Sequence, residues 1–204
     1  MTECHQIFTV GHSTLSLDAF LSALRANGVS AVADVRSAPY SRFNPAFNRD
    51  PLKRELKACG MRYVFLGKEL GGRPTDPACY EHGRASYSRM AQTDLFRAGL
   101  DRVIRGSMSH RIALVCSEGE PLNCHRTLLI ARALAERGLA IAHIERNGEA
   151  ASQSDIEARL IRIVGLSDNL LRSRDEVLAE AYDLQAKRVA YVERAGTHAG
   201  SEAV

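Results

Sequence analysis

Apolar runs and amphipathic stretches alternate along the first 145 residues of the chain. In the stretches between the runs, apolar residues recur at the spacing of a helix, most clearly over 16–28 and from about 124 to 137. The runs themselves are short and predict five strands, at residues 7–10, 31–36, 62–66, 111–116 and 139–144. Mostly apolar strands that alternate with helices are typical of a parallel sheet covered on both faces. We therefore predict an α/β fold, with a predominantly parallel sheet of about five strands flanked by helices.

After residue 146 the alternation stops, and the remaining pattern is helical, over SDIEARLIRIVG and again at about 174–194. We therefore divide the chain into an α/β domain at 1–150, a helical extension packed on it at 151–195, and a disordered tail at 196–204. One connection inside the first part, 67–86, is long and contains glycine and proline. A connection of that length within a compact domain indicates a function or a lid.

Residues with reactive or charged side chains follow four of the five predicted strands. Ligands bind beyond the carboxyl ends of the strands in open parallel sheets, and in such a sheet those ends share one edge. We therefore expect one crevice to collect these segments. In chain order they are Gly11-His12-Ser13, Asp34-Val35-Arg36 with Ser41-Arg42, Gly71-Gly72-Arg73, Cys116-Ser117-Glu118 and Cys124-His125-Arg126.

Two cysteines at this edge, Cys124 and Cys116, are the candidate nucleophiles. A thiol at the turn from a strand into a helix faces free backbone N–H groups and the positive end of the helix, and both favour the thiolate. Arg126, close behind Cys124, adds a positive charge. The other candidate catalytic residues, which would transfer protons or orient the groups that do, are His12, His125, Asp34 and Glu118. Because cysteine is among the most buried residue types, a purely structural role for Cys116 is an equal alternative.

The same edge carries side chains that suit an anionic ligand. Arginine offers a planar fork of donors that matches phosphate and carboxylate, and the candidate anion-binding residues are Arg36, Arg42, Arg73, Arg126 and Ser13. Asp34 and Arg36 project to the same face of their strand, so we also expect them to form an ion pair. A phosphate-bearing or otherwise anionic small molecule, or a nucleotide, is the expected partner. On this interpretation the protein is a cysteine-dependent hydrolase or transferase, although the sequence leaves open whether it is an enzyme.

A metal site is an alternative interpretation of the same cysteines and histidines. Cys116, Cys124, His125 and His12 include the ligand types that zinc prefers, but seven residues separate the two cysteines, more than the usual two to four. Cys124 and His125 are also adjacent, and on a helix their side chains would diverge. We therefore assign no metal ligand, leave the cofactor open, and keep a Cys/His metal-binding protein as an alternative. A reversible disulfide between the two cysteines is also geometrically open.

Composition and charge bear on whether the protein binds nucleic acid or a membrane. The net charge of +3 is too small to require a nucleic-acid partner. Arginine suits anions, but the codon usage of a GC-rich genome explains most of the excess of 23 arginines over 4 lysines, so the positions of the arginines matter more than their number. One loop combines Arg42 with Tyr40, Phe43 and Phe47, a combination that can stack a base. A nucleic-acid-binding or nucleotide-binding module without turnover therefore stays an alternative. No apolar run approaches the ~20 residues of a membrane helix and we see no secretory signal, so we expect a cytoplasmic protein with no membrane partner.

The ordered motifs also carry a family resemblance. GHS, DVR, SR-x-x-P-x-F, LGGRP and C-x-E followed by CHR occur in this order, over about residues 7–145. With these motifs the chain resembles the bacterial and archaeal family called domain of unknown function 488. The resemblance implies an α/β fold and no settled activity, and it does not extend to the helical segment after about residue 150.

Overall fold

The computed structural model describes residues 6–167 and 172–193. Within this part of the chain, the strands in chain order are β1 (Gln6–Gly11), β2 (Ala31–Asp34), β3 (Arg62–Phe65), β4 (Tyr80–Glu81), β5 (Arg84–Ala85), β6 (Ile112–Cys116), β7 (Ala140–Ile144) and β8 (Ala150–Ser152). Six of them form one sheet in the order β3-β2-β6-β1-β7-β8, and β4 pairs with β5 in a separate hairpin.

The five strands predicted from the sequence are β1, β2, β3, β6 and β7, and all five run parallel. The predicted α/β fold is therefore confirmed. The sequence analysis does not predict β8, which pairs antiparallel with β7 at one edge of the sheet. With only three residues, Ala-Ala-Ser, this strand is too short to produce an apolar run.

Helices cover the sheet. The α-helices of the described residues are α1 (Leu17–Ala26), α2 (Arg49–Ala58), α3 (Gly67–Leu70), α4 (Tyr87–Ala91), α5 (Asp94–Ser107), α6 (Arg132–Ala135), α7 (Gln153–Val164) and α8 (Arg174–Val189). A π-helix, Arg126–Ala131, leads directly into α6, and single 3-10 turns form at Pro45–Phe47, Pro77–Cys79 and Pro121–Asn123. None of the helices described here combines the length and the hydrophobicity that crossing a membrane requires.

Three predicted elements differ from the structure. The helix expected at about 88–105 is divided into α4 and α5, because the hydroxyl of Thr93 caps the N–H of Phe96 and starts a new helix. The connection at 67–86 is not irregular throughout, since it contains α3, a 3-10 turn and the β4–β5 hairpin. The helix expected from about 124 begins two residues later and opens as a π-helix.

Two separate cores form because helices pack on both faces of the sheet. On one face α1 and α2 bury Phe20, Leu24, Leu52 and Leu56. On the other face α5, the π-helix, α7 and α8 contribute to one continuous apolar cluster. The helices after residue 150 therefore share this second core with β1 and β6. The division into a domain and an extension stays a prediction, and the predicted tail at 196–204 lies outside the described residues.

Candidate functional site

Two clusters of polar side chains lie at the edge of the sheet where β1, β2 and β6 end. The thiol cluster consists of Cys116, Glu118, Cys124 and His125. The ion-pair cluster consists of His12, Asp34, Arg36 and Tyr63. The clusters are neighbours because β6 lies between β1 and β2, and the N–H of His12 donates a hydrogen bond to the carbonyl of Cys116 (3.0 Å).

A short turn brings the two cysteines of the thiol cluster together. Cys116 is the last residue of β6, and the 3-10 turn Pro121–Asn123 returns the chain toward it. The carboxylate of Glu120 caps the start of this turn. Cys124 follows with an extended backbone, φ −139° and ψ 138°, and thus stands outside the helix. The expectation that the side chains of Cys124 and His125 diverge on a helix is therefore wrong.

The side chains of the thiol cluster converge on one point. The sulfurs of Cys116 and Cys124 each lie 3.8 Å from Nδ1 of His125. These three atoms all lie within 4.8 Å of one another. Glu118 Oε2 accepts a hydrogen bond from Cys116 Sγ at 2.8 Å and lies 3.3 Å from Cys124 Sγ. Cys116, Cys124 and His125 are 3%, 2% and 8% exposed, whereas Glu118 is exposed, so the cluster meets solvent through its carboxylate.

Neighbouring backbone fixes the orientation of the His125 ring. Its Nε2 lies 3.0 Å from the carbonyl oxygen of Val35. Because a carbonyl only accepts hydrogen bonds, Nε2 carries a proton, and Nδ1 is the atom that faces the thiols. Gly72 of the LGGRP motif packs against the same ring, where a Cβ would come within 2.8 Å of Cγ and 2.9 Å of Nδ1. A residue with a side chain at position 72 would therefore displace the imidazole.

Arg126 is a fully buried cation beside the thiol cluster. Its backbone nitrogen lies 3.5 Å from Cys124 Sγ. Its guanidinium donates hydrogen bonds to the backbone carbonyls of Glu118 and Gly119. Among the described residues it forms no ion pair with a carboxylate, and its Nε has no hydrogen-bond partner. A buried cation is costly unless a negative charge lies near it. The sulfur of Cys124 would supply that charge as a thiolate, and the positive charge of Arg126 lowers the pKa of this thiol.

The two thiols differ in acidity. Burial alone raises the pKa of Cys124, but the hydrogen bond with Cys116 and the positive charges of Arg126 and His125 hold that pKa well below its ordinary value. The hydrogen bond with Cys124, together with burial, raises the pKa of Cys116 well above its ordinary value. Burial lowers the pKa of His125, yet the negative charge of Cys124 raises it overall. The arrangement thus favours a thiolate at Cys124 and a thiol at Cys116.

The ion-pair cluster contains the Asp34–Arg36 pair that the sequence predicts. Two N–H groups of the guanidinium bind the two carboxylate oxygens at 2.9 and 2.6 Å, and the Tyr63 hydroxyl donates to the same carboxylate at 2.7 Å. Asp34 is completely buried and Arg36 is 4% exposed. The remaining Nη1 of Arg36 lies 3.3 Å from Nε2 of His12. Every charged group in this cluster therefore has a close partner of its own.

His12 is held between Arg36 and an aromatic ring. Its imidazole stacks on Phe47 with the ring centroids 4.3 Å apart. Burial and the positive charge of Arg36 lower the pKa of His12 to about 4, so the ring is neutral at pH 7. A neutral ring can accept a hydrogen bond from Arg36 at Nε2. Phe47 is fully buried and anchors its loop to the core, so it does not offer a face to a nucleobase.

A comparison with known protein families identifies the chain. Residues 16–133, more than half of the sequence, match the model of the family described as domain of unknown function DUF488. The chain belongs to the DUF488 family. The resemblance found in the motifs is thereby confirmed, although GHS (11–13) lies outside the matched residues. Comparison with curated proteins gives no match, and neither does comparison with solved structures.

Three of the predicted anion-binding residues of this DUF488 protein are exposed, unlike the buried Arg36 and Arg126. Arg73 is exposed, and its guanidinium stacks over the ring of Tyr191 at 4.8 Å. Arg42 is exposed beside Phe43, which is 95% exposed, and no partner for the Arg42 side chain is found in the described part of the chain. Ser13 is exposed at the end of β1. Their roles in binding an anion, or a nucleic acid, stay predictions.

Two tyrosines that shape the clusters escaped the sequence analysis. Tyr63 binds the carboxylate of Asp34, but in the sequence it is one residue of an ordinary apolar run. Tyr87 is buried in the same core as the cysteines and lines a cleft of about 810 Å³. Burial, and then the negative charges of Cys124 and Glu118, raise the pKa of Tyr87. No signal in the sequence links Tyr87 to the thiols, because about 30 residues separate them and only the fold brings them close.

Proposed function

We propose that this DUF488 protein is a metalloprotein in which Cys116, Cys124 and His125 bind one divalent cation, with Zn²⁺ as the best fit. The observation that carries the proposal is the separation of 3.8 Å between each sulfur and His125 Nδ1. Zinc binds sulfur at about 2.3 Å and imidazole nitrogen at about 2.1 Å, so two such ligands of a tetrahedral site lie about 3.6 to 3.8 Å apart. Each sulfur already lies at that spacing from the histidine nitrogen, and all three atoms lie within 4.8 Å of one another.

The contact between His125 and Val35 supports the same proposal. A histidine that binds a metal through one ring nitrogen donates its other N–H to a carbonyl or carboxylate, which fixes the tautomer. His125 has this arrangement, with Nε2 on the Val35 carbonyl and Nδ1 toward the thiols. The ring therefore needs no rotation to become a ligand.

Charge balance also favours a divalent cation. With a metal bound, the cysteines are thiolates, and Glu118 adds a third negative charge. The ion and Arg126 together carry three positive charges, and these balance the three negative charges of the two thiolates and Glu118. Such neutrality matters because Arg126 is fully buried and has no carboxylate partner in the described residues.

The location suggests a catalytic use of the metal on an anionic substrate. The cluster lies where β1, β2 and β6 end, the edge at which ligands of parallel sheets bind. A zinc ion held there would polarise a carbonyl or phosphoryl oxygen of the substrate. Arg126 and the Glu118–Gly119 carbonyls that it binds would hold the ligand loop in place. A cytoplasmic location stays a prediction.

A second candidate function, a cysteine-dependent hydrolase or transferase, rests on the lowered pKa of Cys124 beside Arg126. In that case the thiolate itself would attack the substrate, and no metal would take part. Cys124 is only 2% exposed, so the cluster would have to open before a substrate could reach the sulfur. Because the metal proposal requires no such opening for its ligands to converge, it ranks first.

Zinc titration of the purified, metal-free chain tests the proposal. We expect one Zn²⁺ per chain, and the substitution Cys124→Ser should weaken binding by more than about 100-fold, the upper end of the effect of losing an outer-shell partner. Cys59→Ser is the matched control, because Cys59 is also a free cysteine but packs against the other core. A wild-type chain that binds no Zn²⁺, or a Cys124→Ser chain that binds it equally well, contradicts the proposal.

Alkylation separates the two candidates. If the cluster binds metal, one equivalent of Zn²⁺ should suppress the reaction of iodoacetamide with Cys124. If Cys124 is instead a free nucleophile, its alkylation in the metal-free chain should be faster than that of Cys59 at neutral pH and should not change when Zn²⁺ is added.

A further inference from the structure

Glu118 differs from the other three members of the thiol cluster in its exposure. Cys116, Cys124 and His125 are buried, whereas Glu118 is exposed. Its Oε2 nevertheless lies 2.8 Å and 3.3 Å from the two sulfurs. The atoms that lie within 4.8 Å of one another belong to Cys116, Cys124 and His125, so the carboxylate of Glu118 would have to turn from the sulfurs toward the ion to complete a four-ligand shell. The fourth ligand would then be the only one that solvent can reach.

The backbone that carries Glu118 is fixed independently of its side chain. The guanidinium of Arg126 binds the carbonyls of Glu118 and Gly119. The Ser13 N–H donates to the Ser117 carbonyl at 2.8 Å, one residue earlier. Gly11 allows the loop to pass close to β1, because a Cβ there would lie 1.7 Å from the Glu118 carbonyl oxygen. The carboxylate can therefore leave by rotation of its own side-chain torsions while the loop stays in place.

We propose that Glu118 is a displaceable fourth ligand, and that its departure opens a coordination position for a small oxyanion such as phosphate or a carboxylate. This inference rests on the proposed metal centre. Closed structural zinc sites keep four protein ligands, whereas catalytic sites have three and an open position. With Glu118 bound the centre has four protein ligands, and when Glu118 leaves it has three protein ligands and an open position. An incoming oxyanion replaces one negative oxygen by another, so the charge balance with the buried Arg126 is kept.

The test uses the full chain with Co²⁺ in place of Zn²⁺, because cobalt reports its coordination in the visible spectrum. Two spectral features are recorded for the wild type, Glu118→Ala and the control Glu55→Gln, which removes an exposed charge from α2 on the other face of the sheet. Thiolate-to-cobalt charge transfer reports the cysteines, and the d–d bands report the fourth ligand. Each protein is then titrated with inorganic phosphate.

Glu118→Ala should still bind one Co²⁺, with affinity lowered roughly tenfold, the lower end of the losses seen for groups near a metal. Its charge-transfer band should be retained, its d–d bands should shift, and phosphate should change them at a concentration at least about tenfold lower than in the wild type, because no carboxylate competes. Glu55→Gln should behave as the wild type does.

Two results overturn the inference while leaving the metal centre intact. The first is a Glu118→Ala chain whose spectrum and phosphate response equal those of the wild type, since Glu118 would then not be a ligand. The second is a Glu118→Ala chain that binds no Co²⁺ while the wild type binds one, since Glu118 would then be indispensable. A wild-type chain that binds neither Co²⁺ nor Zn²⁺ overturns the metal centre as well.

Discussion

The ion-pair cluster and the thiol cluster share one edge of the sheet, but their polar groups are satisfied to different degrees. In the ion-pair cluster, the carboxylate of Asp34 receives hydrogen bonds at 2.6 to 2.9 Å from Arg36 and Tyr63. In the thiol cluster, sulfur and imidazole nitrogen face each other at 3.8 Å, and a thiol is a weak donor. The strong hydrogen bonds of the ion-pair cluster leave its polar groups little ability to bind a ligand. The sulfurs and the imidazole nitrogen of the thiol cluster make only weak contacts with each other, so they remain able to bind one.

The satisfied cluster supports the unsatisfied one through the backbone. Val35, whose carbonyl holds His125, lies between Asp34 and Arg36, the two partners of the buried ion pair. The ion pair thus fixes both sides of the carbonyl that orients the imidazole. We infer a division of roles, in which one cluster provides rigidity and the other provides ligands.

The largest effect on stability is expected from Asp34→Asn. This change leaves the buried Arg36 without a counter-charge, and breaking a buried pair in this way costs about 3–5 kcal/mol. Urea denaturation measures the loss. The matched control is Asp101→Asn, which breaks an exposed pair with Arg137 at 2.8 Å and should cost less than about 1 kcal/mol.

Zinc titration of the folded Asp34→Asn chain sharpens the comparison. If the clusters divide their roles as inferred, the variant still binds one Zn²⁺ per chain, while Cys124→Ser loses zinc without a comparable loss of stability. An Asp34→Asn chain as stable as the wild type would show that the ion pair does not hold this edge together.

The pKa values of the two histidines should be shifted in opposite directions. Burial and Arg36 lower the pKa of His12 from 6.5 to about 4, whereas the negative charge of Cys124 raises the pKa of His125 in the metal-free chain. NMR titration of the ring carbons should therefore find His12 neutral down to about pH 4. His125 should be protonated at pH 6.5 and should lose that proton when Zn²⁺ is added.

The lowered pKa of His12 also predicts a dependence of stability on pH. The unfolded chain binds a proton at this residue below about pH 6.5, and the folded chain does so only below about pH 4. The contribution of His12 to the free energy of unfolding is therefore fully present above pH 6.5. It decreases by about 3 kcal/mol as the pH falls toward 4. A His12→Gln chain should lack this component, and an unchanged pH profile would contradict the environment assigned to His12.

The sequence was sufficient for the five parallel strands of the sheet but not for its short antiparallel edge strand or for the geometry of the thiol cluster. The parallel strands are recognisable because each is a continuous apolar run, and their order along the chain places Cys116 and Cys124 at one edge. The direction of the Cys124 side chain depends on where the helix starts, and the apolar pattern after it fits a helix from either residue 124 or 126. The signal for the later start is Glu120-Pro121, a capping residue before proline that begins a separate turn.

The positions of arginine side chains were harder to predict than those of the backbone. Arg36 and Arg126 are buried near the clusters, whereas Arg73 reaches Tyr191 at the other end of the described chain. Nothing near Arg73 in the sequence identifies that partner, because the contact depends on how the segment after α8 packs. A long side chain at the expected edge of the sheet thus does not by itself establish a member of the site.

Among the changes that compare the two clusters, the smallest effect is expected from Gly72→Ala, which most directly tests how the thiol cluster is held. The new Cβ would come within 2.9 Å of His125 Nδ1, so the ring must shift from its present position beside the sulfurs. Zinc affinity should fall about 10- to 100-fold, as it does when an outer-shell support of a metal ligand is lost. Gly106→Ala is the control, because its Cβ would meet only the terminal methyl group of Ile112, also at 2.9 Å.

If Gly72→Ala weakens zinc binding while the pKa of His12 is unchanged, the two clusters are separable. If zinc affinity is unchanged, His125 is not a ligand, and the comparison between the clusters loses its basis.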